Sequence, residues 1–254
     1  GCNFRCSFCQ NWDISQQKFE KSDLSENTVS PEVIVKAAKD AGCRSIAYTY
    51  TEPTIFFEYA YDTAKIAKEN GLYNSFITNG FMTKEAIEKI APYLDAANID
   101  LKFFTDEAYK RLCGGKLEPV LGSIRKMKKM GIWVEVTTLV IPGENDSDHE
   151  LRGIASFLAE IDTEMPWHLS RFYPAYKYTD LIPTPAETIE RAISIGKEAG
   201  LKYIYPGNIN LPADTICPDC GAYLISRNEY ITEMPNKFNG ECAKCGKKIK
   251  GIWI

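Results

Sequence analysis

The sequence predicts an α/β protein: an incomplete parallel barrel of the (β/α)6 type, followed by a four-cysteine module resembling a zinc ribbon. Three observations carry that prediction. Between residues 31 and 205, short apolar runs of strand character alternate five or six times with segments of helical periodicity, which calls for βαβ crossovers and a parallel sheet closed or partly closed into a barrel. A complete barrel would need eight such units. No G-x-G-x-x-G follows any strand, so a doubly wound dinucleotide fold has no support. At residue 214 the character changes, with Cys217-Pro218-Asp219-Cys220 and Cys242-Ala243-Lys244-Cys245 each followed by glycine. Two domains are therefore expected, 1–213 and 214–254.

The elements follow in order. After a cysteine-rich opening and a polar stretch to Asn27, Ser30-Pro31 supplies an N-cap and a first-turn proline. Ile34, Ala37, Ala38 and Ala41 then fall on one helical face, and Gly42 is placed to end the helix. Residues 45–49 are short and apolar enough for a buried parallel strand, ended by Tyr50-Thr51-Glu52-Pro53. A helix runs on to Asn70-Gly71. The unit repeats with a strand at 73–78, a turn at Asn79-Gly80 and a helix capped by Thr83. Residues 97–101 are the next strand, followed by helical segments at 106–112 and 118–130. A strand at 134–141 stops at Pro142-Gly143, and Leu151, Ile154, Ala155 and Leu158 mark the helix after it. Residues 167–173 form a further strand. Thr184-Pro185-Ala186-Glu187 reads as a capping box opening a helix to Ala199-Gly200, and 202–205 as a last short strand.

Composition narrows the function. The chain has 254 residues, 44% of them apolar, with no run long enough for a membrane span and no basic-then-apolar leader. Net charge is −4 and no Lys/Arg cluster is interleaved with aromatics, which argues against a nucleic acid as partner. Of the nine cysteines, all but Cys43 and Cys113 sit in metal-type spacings, so reduced thiols and a cytoplasmic location are expected.

Chemistry concentrates at the start, where Cys2, Cys6 and Cys9 form C-x3-C-x2-C. Thiolates are the soft ligands of iron–sulfur clusters, and a [4Fe-4S] cube normally takes four. Three would leave one iron open to a substrate or cofactor. A zinc knuckle or scattered structural cysteines are the alternatives. In the tail, Cys217, Cys220, Cys242 and Cys245 suit a closed four-thiolate site for zinc, or iron of rubredoxin type.

The C-x3-C-x-aromatic-C pattern, with Phe8 before the last cysteine, resembles the radical S-adenosylmethionine (SAM) superfamily. That resemblance implies a [4Fe-4S] cluster whose open iron chelates SAM. Reductive cleavage to methionine and a 5′-deoxyadenosyl radical, followed by hydrogen abstraction, would be its chemistry. Because such loops follow a strand, an upstream segment is expected to precede residue 1. The superfamily's G-G-E-P-like turn corresponds to Tyr50-Thr51-Glu52-Pro53, which implies that Tyr50, Thr51 and Glu52 meet the SAM amino group. The glycines are missing here. A solvated carboxylate at a helix start is the other reading of Glu52.

More narrowly, Thr78-Asn79, Asp100 and Lys102 resemble the cation and carboxylate contacts of glycyl-radical-enzyme activases, with Ile77 standing where those enzymes carry aspartate. Tyr176 replaces their histidine after Arg171-Phe172-Tyr173-Pro174. With His168 and Cys113 it is a candidate catalytic residue; buried structural roles are the alternatives for the last two. With Val140-Ile141-Pro142-Gly143-Glu144-Asn145-Asp146 and the tail, the chain resembles pyruvate formate-lyase activating-enzyme-like proteins, and within them the AmmeMemoRadiSam system enzyme. The resemblance implies an oxidoreductase using flavodoxin or ferredoxin as reductant, acting on a protein substrate or a small molecule. A non-catalytic zinc-binding interaction protein is the reading of another class.

Overall fold

The computed structural model describes residues 1–16, 28–228, 231–235 and 238–253; most of the polar stretch ending at Asn27 and part of the tail lie outside the described residues. Six strands, β1 (Ser45–Tyr48), β2 (Tyr73–Thr78), β3 (Ala96–Asp100), β4 (Trp133–Val140), β5 (Trp167–Arg171) and β6 (Ile204–Gly207), form one sheet in chain order. The pairing is parallel: Ser45 lies opposite Tyr73, Ser75 opposite Ala96, and Trp167 opposite both Val136 and Ile204. Because the order never reverses, the sheet has no switch point of the doubly wound kind. Each strand is instead added beside its predecessor, as barrel staves are.

Helices α1 (Trp12–Ser15), α2 (Pro31–Asp40), α3 (Phe57–Glu69), α4 (Lys84–Ile90), α5 (Asp106–Ala108), α6 (Leu117–Lys129), α7 (Asp148–Ile161) and α8 (Ala186–Glu198) connect or precede the strands. Thr83 caps α4 by accepting from the Ala86 amide at 3.2 Å, as its position predicts. Two local readings fail. In α2 the buried stripe centres on Val35, which packs with Ala38, Ala67 and Leu72, while Ala37 and Ala41 face solvent. Alanine fits either face, so its periodicity did not fix the helix rotation. Thr184 is no capping residue either. It is fully buried, accepts from the Phe172 amide at 3.0 Å and donates to the Val140 carbonyl at 2.6 Å, so it ties the ends of β4 and β5 together while Pro185 stands at the N-cap of α8.

The chain resolves into two compact units: Gly1–Leu101 with Thr105–Val134 and Pro174–Asp180, and Lys102–Phe104 with Glu135–Tyr173 and Leu181–Ile254. The core of the first includes Phe4, Phe76, Ile87, Ile99, Tyr109 and Met127, all fully buried. Gly80 turns the chain after β2 at φ 71°, and a Cβ there would come within 2.7 Å of Ile99 Cγ2. Left-handed backbone and close packing both require glycine.

In the second unit Val136, Thr138 and Val140 of β4 are buried at alternate positions, the period of a strand. Thr138 is admitted because its hydroxyl accepts from Trp167 Nε1 at 2.9 Å. The tail adds an antiparallel sheet of β7 (Thr215–Ile216), β8 (Tyr223–Asn228) and β9 (Ile231–Glu233). Tyr203, Cys217, Leu224, Ile225, Cys242 and Ile249 form its core. No helix among the described residues is long and apolar enough to cross a membrane.

Beyond β4, the wholly buried Asn145 accepts from the Ile141 amide at 2.6 Å and donates to the carbonyls of Lys102 and Leu139 at 2.7 and 2.8 Å. Its truncation removes three hydrogen bonds to the main chain, the one from the Ile141 amide fully buried. Asn145→Ala should therefore destabilise the protein by about 2–4 kcal/mol, read from the denaturant midpoint; an unchanged midpoint would show that this side chain is not the clamp.

Candidate functional site

In the first unit the opening loop is fixed by its own backbone. The Arg5 and Ser7 amides donate to the carbonyls of Cys113 and Leu112 at 2.7 and 2.9 Å, and the Lys177 amide donates to the Ser7 carbonyl at 3.0 Å. The loop is thus held between a π-helical turn at Tyr109–Cys113 and the segment Pro174–Asp180. Phe4 anchors it, with its ring 5.1 Å from Phe81 and 6.0 Å from Tyr109. Gly115 makes room, since a Cβ there would lie 2.3 Å from Phe4 Cε1. Phe8 is buried edge-on to Tyr178, and Trp12 stacks on Tyr176 with centroids 5.4 Å apart. On this loop Cys6 is buried, and Cys2 and Cys9 are half-buried.

Asn79 joins this loop to the strand ends. Its Nδ2 donates to Asn3 Oδ1 at 2.7 Å and lies 3.6 Å from Cys2 Sγ, which also receives the Phe4 amide at 3.4 Å. Its Oδ1 accepts from the Phe81 amide, and Asn3 Nδ2 donates to the Phe81 carbonyl. The Asn79 amide in turn donates to Glu52 Oε2 at 2.7 Å.

Glu52 is wholly buried, contrary to the solvated alternative, and it caps the 3-10 turn Pro53–Phe56. Its Oε1 accepts from the Thr54 amide, the Thr54 hydroxyl and the Thr78 hydroxyl at 3.1, 2.6 and 2.7 Å. Burial pushes its carboxyl above the ordinary range, and the donors of Thr54, Asn79 and Thr78 pull the other way. Just before it, Tyr50 is 72% exposed and takes a left-handed φ of 73°. That conformation costs an aromatic residue about 1–2 kcal/mol. Thr51 beside it is half-buried.

The remaining candidates separate. Cys113 is fully buried, and its carbonyl braces Arg5. Tyr176 lies in the first unit at a left-handed φ of 55°, with the Lys177 ammonium 5.2 Å from its ring centroid. Asp100 closes β3, half-buried. In the second unit, Lys102 is half-buried and offers its carbonyl to Asn145. His168 there lies 2.7 Å from Glu135 Oε2 and stacks on Tyr205, so its ring is held by neighbours. Sequence reasoning missed Asn3 and Trp12; their adjacency to the cysteines was the available signal.

In the tail, Cys217 and Cys245 have sulfurs 3.6 Å apart, as do Cys220 and Cys242, and all four lie within 4.8 Å of one another. Gly221 and Gly246, at φ 70° and 72°, let each knuckle fold back, their amides bonding the carbonyls of Cys217 and Cys242. Burial would raise the Cys242 thiol, but the amides of Cys245 and Lys244 and the neighbouring thiols bring it down to about 7. This cage could hold a metal ion. Glu164 meets Lys202 and Lys247 at 3.4 and 3.9 Å and Lys250 at 3.0 Å, tying the cage to the rest of its unit.

Replacing Glu52 by glutamine would keep its shape but turn an NH2 group toward protein donors. Glu52→Gln is expected to cost about 1–3 kcal/mol, measured by unfolding of the metal-free chain; equal stability would show that the four donors do not need two acceptor oxygens there.

Comparison with known proteins follows this geometry. Residues 1–153 match the family model of the Radical SAM superfamily. The chain is 46% identical over 254 residues to an uncharacterized protein of Methanocaldococcus jannaschii, covering 98% of this chain and 75% of the relative. It is 22% identical over 218 residues to pyruvate formate-lyase 1-activating enzyme of Escherichia coli, covering 81% and 89%. A crystal structure of a domain of pyruvate-formate lyase-activating enzyme from Bacteroides vulgatus superimposes with a TM-score of 0.57 at 20% identity, over 65% of this chain and 99% of that one. The match to the family model spans more than half of the chain and includes the three leading cysteines, and on that ground the chain belongs to the radical SAM superfamily of enzymes.

Proposed function

We propose that Cys2, Cys6 and Cys9 ligate three irons of a [4Fe-4S] cluster, leaving the fourth to SAM, and that the enzyme abstracts hydrogen from a protein substrate in the manner of an activating enzyme. One observation carries the reading: three thiols stand on a single loop that the protein fixes from two sides by main-chain hydrogen bonds. Soft thiolates suit iron. N–H donors at Cys2 and a hydroxyl at Cys9 further suit sulfurs that carry negative charge. When bound, cluster and SAM supply a 5′-deoxyadenosyl radical that takes a hydrogen atom from a substrate carbon.

The chain's own residues bind and hold. Phe4 and Phe8 stand between the thiols in sequence, and their buried rings anchor the loop on Phe81, Tyr109 and Tyr178. Glu52, already committed to four donors, holds the turn so that Tyr50 and Thr51 meet the SAM amino group with their main chain. Thr78, Asn79 and Asp100 line the strand ends, and Lys102 offers a point charge to the SAM carboxylate. Similarity to an activating enzyme supports the protein substrate. The reductive step requires an electron donor such as flavodoxin or ferredoxin, and cysteines in metal-type spacings support a reducing compartment such as the cytoplasm. We read 1–213 as the catalytic domain and 214–254 as a structural module holding zinc, because four thiolates leave no open position.

Anaerobic reconstitution with iron and sulfide, followed by dithionite and SAM, tests this. The expected outcome is one [4Fe-4S] cluster and one zinc per chain, with formation of 5′-deoxyadenosine, and a Cys6→Ala variant that keeps the zinc but loses both cluster and product. Zinc at both cysteine sets without labile sulfide would overturn it.

A further inference from the structure

A relay of side chains in the first unit stands behind the hydroxyl that meets the sulfur of Cys9. Ser15, the last residue of α1, is 2% exposed, and its Oγ lies 3.2 Å from Cys9 Sγ. Gln16 Nε2 donates to the same Oγ at 3.0 Å, and Arg5 Nη1 donates to Gln16 Oε1 at 3.2 Å.

The direction of this relay is fixed by chemistry. A guanidinium only donates, so the Gln16 atom facing Arg5 is the carbonyl oxygen and the atom facing Ser15 is the amide nitrogen. That nitrogen also only donates. Ser15 therefore accepts from Gln16, and its single proton is left for Cys9, the other partner of Ser15 Oγ among the described residues. Each bond polarises the next, so a positive charge at Arg5 is felt at a sulfur it does not touch.

We propose that Ser15, oriented by Gln16 and Arg5, is a positioning residue that acts through Cys9: its O–H···S bond stabilises the more negative, reduced form of the cluster and so raises the reduction potential. The inference rests on the cluster reading above. Reduction adds one electron, whose charge is shared by the ligating sulfurs, so a donor at sulfur favours the reduced state. The relay thus sets how readily the physiological donor delivers that electron. A potential is also what a merely structural serine would leave unmoved.

The test is a spectroelectrochemical titration of the reconstituted full chain without SAM. Only the change in the strength of this hydrogen bond on reduction counts. Ser15→Ala should therefore lower the equilibrium constant for reduction about tenfold, roughly 59 mV for a one-electron couple. Gln16→Leu, at a half-exposed position, should shift the potential in the same direction by less, because the freed hydroxyl can rotate away; it serves if Ser15→Ala assembles no cluster. An unchanged or raised potential in a variant with an intact cluster would overturn this inference and leave the proposed function standing. An unsubstituted chain that assembles no cluster would overturn both.

Discussion

A carboxylate removed from water must be met by protein donors, and Glu52 is met by four, from Thr54, Thr78 and Asn79. The ends of β1 and β2 cannot separate without breaking the bonds that Thr78 and Asn79 make to that carboxyl group. Such a bond is costly to break and cheap to keep, because the desolvation has already been met by folding. Asn79 carries the constraint outward. Its amide closes on Glu52 while its side chain reaches Asn3 and Cys2, so one residue joins the strand ends to the cysteine loop. Gly80 immediately after it allows the turn that gives both contacts at once.

The two sets of cysteines are built by different means. In the tail, each C-x2-C knuckle is folded by local bonds, glycine following the second cysteine, and the four sulfurs converge on one point. The leading loop relies instead on partners far along the chain, at Leu112, Cys113 and Lys177, and on rings supplied by Phe81, Tyr109, Tyr176 and Tyr178. Local bonds suffice for a closed, compact cage. A loop that presents three thiols and leaves room beside them needs outside support, since little within eleven residues can hold it open.

Much of this was legible in the sequence. The alternation of apolar runs with helical periodicity gives six parallel strands in order, and only the last strand lies later than expected, at Ile204–Gly207. Both cysteine patterns stand out by spacing alone. What was illegible depends on partners distant in sequence. Thr184 satisfies a capping pattern locally, yet the ends of β4 and β5 claim its hydroxyl. Nothing adjacent to Glu52 announces that all four donors will be protein groups, two of them across the turn from β2. Ser15 and Gln16 look like ordinary polar residues until a short helix brings them back over Cys9. Asn145 stands out in the sequence only as part of a motif, whereas its side chain bonds the main chain at the end of β4, at Leu139 and Ile141, and that of Lys102.

The central claim is that the protein itself fixes the cysteine loop, before any cluster is bound. Hydrogen exchange of the cluster-free chain tests it most directly, at the amides of Arg5, Ser7 and Asn79, whose acceptors are Cys113, Leu112 and Glu52. Protection comparable to that of the β2 and β3 amides is the predicted result. Exchange at the rate of an unstructured peptide would contradict the account, because the three thiols would then be ordered by their ligand and not by the fold.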